Sequence, residues 1–176
     1  MIRLAVKEDV KEIVLIYNDA KKLLKDSGSD QWQDKNGYPN EETILNDILL
    51  KQLFVYIEEN IIKGCIVVSK ELEEAYLKVY NGSWSNNDKY TVIHRLAVKK
   101  EFYRTGIGKK LIQFSIDYTS KQNIYTIRTD TKIENIKMQS LLKSFSFKHV
   151  GKVILLMDNS VDNNREAYEL LIGNNQ

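Results

Sequence analysis

The chain has 176 residues, 43% of them hydrophobic and 28% charged, with 26 basic against 24 acidic side chains and a formal charge of +2. That length and apolar content support a substantial core in one globular domain spanning residues 1–176 and exclude disorder as the default. The near-balance of charge removes any general field towards nucleic acid or an anionic membrane, and no apolar run reaches the roughly 20 residues that span a bilayer. A soluble, cytoplasmic protein is the expectation.

Residues 2–6, IRLAV, read as a short strand, and 7–26 as an amphipathic helix, because Val10, Ile13, Val14, Ile16, Tyr17, Leu23 and Leu24 recur at helical spacing. SGSDQWQDKNGYPN, 27–40, holds Gly28, Gly37 and the only proline, so it reads as a loop. Ile44, Leu45, Ile48 and Leu49 predict a second helix over 41–50. The β-branched and aromatic runs 53–59 and 61–70 meet near Asn60 and predict an antiparallel hairpin. Cys65, alone and set in CIVV, reads as a buried thiol in a reducing compartment. ELEEAYLKVY, 71–80, fits helix and strand equally, and 81–88 is a turn. YTVIHRLAV, 90–98, is a strand on which strict alternation puts His94 on the face of Val92, Leu96 and Val98. An apolar helical stripe starts at Ile107 and continues through Leu111, Phe114 and Tyr118. A strand over 124–129, a helix over 133–145 and a closing strand pair, FKHVG with KVILLMD, come next. NNREAYELLI, 163–172, reads as a terminal helix.

The strand-to-helix passage YRTGIGKKL, 103–111, is the part that points to chemistry. Glycines at a helix start leave backbone amides open to an anion and let a phosphate approach closely. A mononucleotide loop would need Ser or Thr after its lysine to hold magnesium, but Lys110 follows Lys109. A dinucleotide fingerprint would need a third glycine where Leu111 stands.

What remains, a strand ending in Leu96, Ala97 and Val98 followed by Arg104, Thr105, Gly106, Ile107, Gly108 and Lys109, resembles the GNAT superfamily of acetyl-CoA-dependent N-acetyltransferases. DTKIENIKMQSLLKSFSF looks like that family's second conserved segment, with Asn135 at the cofactor-side asparagine and Phe147 at the closing aromatic. The resemblance implies an α/β fold of the α+β kind: a mixed, mostly antiparallel sheet flanked by helices, with a splayed strand pair holding acetyl-CoA. It also implies that the turn amides grip the cofactor's diphosphate and that the Val98 amide serves the developing oxyanion. No metal is expected. Three positions depart from the family pattern: Tyr103 replaces Gln or Arg, Ser146 replaces a glycine, and Leu142 stands where a tyrosine acid is usual.

Acetyl transfer to an amine needs a base, because an ordinary amine with a pKa of about 10.4 is protonated at neutral pH. Asp130 matches the place of a catalytic glutamate in some members of the family, although Thr131 and Glu134 spell a capping box that would make the segment a helix cap. His94 is the other candidate. Trp32 and Tyr38 in the long loop would wall the acceptor site, and Trp84 would form the opposite lip. The acceptor expected is a small-molecule or peptide amine rather than nucleic acid, and a homodimer is compatible with the sequence. A sensor that binds acetyl-CoA without turnover is the alternative that Leu142 motivates.

Overall fold

The computed structural model describes residues 1–155 and 163–173. Its elements are β1 (Ile2–Leu4), α1 (Val10–Asp26), α2 (Glu41–Leu49), β2 (Leu53–Glu58), β3 (Ile61–Ser69), β4 (Thr91–Val98), α3 (Ile107–Lys121), β5 (Thr126–Thr131), α4 (Ile136–Ser144), β6 (Lys148–Ile154) and β7 (Asn164–Leu171). Among the described residues, seven strands form one sheet in the order β1-β2-β3-β4-β5-β7-β6. Every pairing is antiparallel except β4 with β5. No helix among the described residues is long and apolar enough to cross a membrane.

Alternation along the strands divides the core between the two sheet faces. Leu53 and Val55 of β2 and Cys65 and Val67 of β3 pack with Ile13, Ile16, Tyr17 and Ile44 from α1 and α2. Phe54, Tyr56, Ile66 and Val68 turn the other way, onto Leu111, Ile112 and Leu142 from α3 and α4. Each fully buried aliphatic side chain contributes about 1.5–3 kcal/mol, so the predicted stripes account for the helix positions. Glu59 and Asn60 both adopt positive φ (53° and 61°), as a tight hairpin turn that follows strand twist requires. Asn40 caps α2 by accepting a hydrogen bond from the Thr43 amide at 3.0 Å.

Three sequence expectations need correction. The segment 163–172 is not a terminal helix: β7 lies between β5 and β6, where both edges of its backbone find partners. Its Glu, Ala and Leu content favours helix locally, but the ladder and burial of residues 165–170 outweigh that preference. FKHVG and KVILLMD do not pair with each other. They run together as β6, with an irregularity between His149 and Gly151, and the partner of β6 is β7; residues 156–158 of that run lie outside the described residues. Strict alternation also fails in β4. Two steps on β3, from Cys65 to Val67, oppose three on β4, from Ala97 to His94. Arg95 takes up the extra residue at φ 49°. Leu96 and Val98 therefore join the α3 face with Ile93, so His94 does not share their face. The ambiguous 71–80 segment is a 3-10 turn at Glu74–Leu77 followed by a bridge from Tyr80 to Lys152.

At Ser146, where the related pattern has glycine, φ is 65°. The chain leaves α4 through a left-handed residue here as a glycine would, at a cost of roughly 1–2 kcal/mol for a residue with a Cβ.

Candidate active site

The parallel strands β4 and β5 pair only at Thr91↔Ile127 and Val92↔Arg128. The Thr129 hydroxyl donates to the Ile93 carbonyl at 2.9 Å and closes the base of a fork. Beyond it a cavity of about 1290 Å³ opens, lined by Leu96, Ala97 and Val98 on one side and by Thr129, Asp130 and Thr131 on the other. The Lys99 amide donates to the Lys63 carbonyl of β3 at 2.9 Å. Because successive amides along a strand point to opposite edges, the Val98 N–H turns away from β3 and towards the fork.

The glycine turn lies at the same cavity. Gly106 has φ +85°, and a Cβ placed there would meet no protein atom within 4 Å, so the space beside it is open. Among the described residues, the amides of Arg104, Gly106, Ile107, Gly108 and Lys109 make no backbone hydrogen bond outside the helix ladder, and the ladder begins with Lys110 donating to the Gly106 carbonyl at 3.1 Å. Unsatisfied donors at a helix start, joined by Arg104, Lys109 and, from α4, Lys137 in the lining, suit a diphosphate. Thr105 is the exception among the predicted turn residues. Its hydroxyl donates to the Phe102 carbonyl at 2.6 Å and its amide to the same oxygen at 3.4 Å, so it closes the turn and stays out of the cavity lining. Gly108→Val is expected to weaken acetyl-CoA affinity, measured by calorimetry, at least about tenfold. A Cβ there sits 3.3 Å from Leu141 Cδ2, so overpacking costs about 1–3 kcal/mol of stability. Unchanged affinity would remove the turn from the binding site.

Asp130 and His94 reach the cavity from opposite sides of the fork. Asp130 belongs to β5 and does not cap a helix. That cap is Asn135, which also lines the cavity and whose Oδ1 accepts from the Met138 amide at 3.2 Å. Burial raises the Asp130 pKa, against the Tyr76 hydroxyl donating to Oδ2 at 2.6 Å and the Arg165 guanidinium 3.9 Å from Oδ1, while the Glu73 carboxylate raises it further. A carboxyl moved up from the usual range is better matched to neutral pH as a base. Burial, then the adjacent Arg95 cation, pushes His94 down to about 3, so its imidazole is neutral at pH 7. Glu73 Oε2 stands 3.7 Å from His94 Nε2, too far for a hydrogen bond.

Trp32 and Tyr38 line the cavity, and one hydrogen bond and one ion pair fasten their loop. Arg95 Nη1 donates to the Tyr38 hydroxyl at 2.7 Å, while Nε and Nη2 grip both oxygens of Asp47 at 3.0 and 2.7 Å. Lys132 Nζ lies 2.6 Å from Asp30. The loop is thus tied to both arms of the fork. The β4 bulge aims Arg95 at these partners, which offset the roughly 1–3 kcal/mol that a non-glycine left-handed residue costs. Trp84 is not the opposite lip. Its ring packs 5.2 Å from Tyr76, its Nε1 donates to the Tyr76 carbonyl at 2.8 Å, and it lies outside the cavity lining.

On α4, Leu142 is wholly buried in the core, and the apolar residues facing the cavity are Met138 and Leu141. Arg95, Asp47, Glu73 and Tyr76 escape sequence reasoning. They come together only through contacts as distant as the 54 residues separating Tyr76 from Asp130.

The sequence model of the acetyltransferase (GNAT) family matches residues 17–147. No curated protein matches the sequence. Among solved structures, a GNAT-family acetyltransferase from Streptococcus agalactiae is 31% identical, with 97% of this chain and 94% of that one covered and a TM-score of 0.87. A GNAT-family acetyltransferase from Listeria monocytogenes is 22% identical over 98% of this chain and 94% of that one, with a TM-score of 0.74. A Salmonella typhimurium protein solved with its cofactor acetyl-CoA is 16% identical over 98% of this chain and 93% of that one, with a TM-score of 0.64. With a forked sheet, an open-amide turn and a family match covering most of the sequence, the chain belongs to the GNAT family of acetyltransferases.

Proposed function

We propose that the protein transfers the acetyl group of acetyl-CoA to a primary amine of a small molecule or peptide. The observation that carries this reading is that the open amides of the glycine turn and the unpaired edge of β4 face one cavity. The cofactor supplies an activated acyl group as a thioester. The amides of Gly106, Gly108 and Lys109 would hold its diphosphate, and the Val98 amide would donate to the oxygen on which negative charge develops. Asp130 takes the proton that an incoming ammonium must lose. His94, neutral, offers the amine a hydrogen-bonding nitrogen on the opposite arm. Trp32 and Tyr38 wall the acceptor.

Transfer is direct, without an acyl-cysteine. Cys65 is fully buried, lies outside the cavity lining, and burial pushes its thiol up to about 12, far from a nucleophilic thiolate at neutral pH. The leaving thiol, with a pKa of about 8.5 when unperturbed, departs tolerably as thiolate, which suits an α4 that presents Met138 and Leu141 to the cavity. The same apolar face favours a second reading, an acetyl-CoA-binding sensor. Acetyl-CoA with a panel of spermidine, tyramine, glucosamine and an alanyl peptide, read as free thiol, separates the two. Release above background with at least one amine is expected; calorimetric binding of acetyl-CoA with no release on any amine supports the sensor.

A further inference from the structure

We propose that Tyr76 is a positioning residue for Asp130, and that the connector between β3 and β4 is built to deliver its hydroxyl. The inference rests on the reading of Asp130 as the base. Tyr76 is 2% exposed, yet it comes from residues 70–90, a segment with little regular structure. Its hydroxyl donates to Asp130 Oδ2 at 2.6 Å. That oxygen is anchored, while Oδ1 faces Arg165 Nε at 3.9 Å. One rotamer of the carboxylate is thereby selected before any amine arrives.

The surroundings hold Tyr76 rather than merely covering it. Trp84 packs on its ring and fastens its carbonyl, and Tyr90 lies 6.4 Å away on another side. The Arg128 guanidinium stacks on both Trp84 and Tyr90, 4.4 and 4.2 Å from their ring centres. Arg128 Nε donates to Glu169 of β7 at 3.0 Å, and the other Glu169 oxygen accepts from the Ser85 amide at 2.8 Å. An irregular connector is thus stapled to β5 and β7 by a buried ion pair and stacked rings. A segment needing only to cross from β3 to β4 requires none of this.

Among the described residues, the charged and titratable groups facing Asp130 are Tyr76 and Glu73 from the connector and Arg165 from β7. Of these, Tyr76 is the one hydrogen-bonded to it and favours its charged form. Tyr76→Phe keeps the ring and removes the donor, so the proton affinity of Asp130 should rise tenfold or more. The test is carboxyl carbon NMR on full-length protein saturated with acetyl-CoA, with the Asp130 signal assigned by its loss in Asp130→Asn. The expected result is an Asp130 titration midpoint at least one pH unit higher in Tyr76→Phe, with the acidic limb of the kcat profile moved the same way and acetyl-CoA affinity unchanged. Superimposable midpoints and limbs overturn the proposal. If Tyr76→Phe does not fold by circular dichroism, Trp84→Phe replaces it: removing the bond from Nε1 to the Tyr76 carbonyl should shift the midpoint upward by a smaller step, and no shift again overturns the proposal. Asp130→Asn with full turnover would defeat the reading of Asp130 as base, whereas an inactive Asp130→Asn beside an unaltered Tyr76→Phe would defeat this inference alone.

Discussion

Asp130→Asn is expected to lower kcat/KM for acetyl transfer about 10²–10⁴-fold while leaving the fold intact, because the substitution removes the proposed general base but keeps an oxygen that can accept from Tyr76. The stability sign follows from burial. The carboxyl pKa of Asp130 is raised in the folded state, so the folded chain binds more protons than the unfolded chain between the ordinary and the raised value. Stability falls as pH rises through that window, and the full cost of the buried charge is carried above it. An uncharged amide does not bear that cost. Thermal unfolding at pH 7 should therefore show Asp130→Asn no less stable than the parent, and the acidic limb of the wild-type rate profile, lying above the ordinary aspartate range, should vanish with it. A variant that unfolds ten degrees early, or one that keeps wild-type turnover, contradicts the assignment.

Asp47→Ala should have the largest effect on stability. Asp47 is 1% exposed, and its two oxygens take hydrogen bonds from Arg95, with a further one from Gln52 Nε2 at 2.9 Å. Removing the carboxylate leaves a mostly buried guanidinium without its charge partner, at a cost of about 3–5 kcal/mol, or a Tm lower by roughly 6–20 °C for a chain of this size. The amine KM should rise as well, because Arg95 is what connects β4 to Tyr38 at the proposed acceptor wall. A double variant separates the two effects: Asp47→Leu with Arg95→Met replaces the pair by apolar groups and should recover most of the stability without recovering the KM. Recovery of both would mean that the pair serves the fold alone.

Local rules accounted for most of the elements, and the failures share a cause. The stripes of α1 and α3 and the hairpin around Asn60 were legible because each depends on neighbours within a turn or two. The strand at 164–171 was not, since its Glu, Ala and Leu are helix formers and only the open edges of β5 and β6 make it extended. Strict alternation puts His94 on the wrong face because a bulge adds one residue without leaving a mark in composition. Trp84 reads as a site residue for being aromatic in a loop, whereas its Nε1 donates to the Tyr76 carbonyl and its ring packs on Tyr76.

What the sequence determined by itself is the glycine-turn end of the cavity. A bare Gly-Ile-Gly at a helix start has its consequence written in its own backbone, because amides without intrahelical partners arise wherever such a helix begins. Tertiary structure decided the other end. Whether Asp130 caps a helix or faces the cavity, which way Arg95 points, and what holds the Tyr38 hydroxyl depend on partners 48 to 57 residues away along the chain. Such separations carry no periodic signal, and only the packing of the sheet brings those groups within hydrogen-bonding distance.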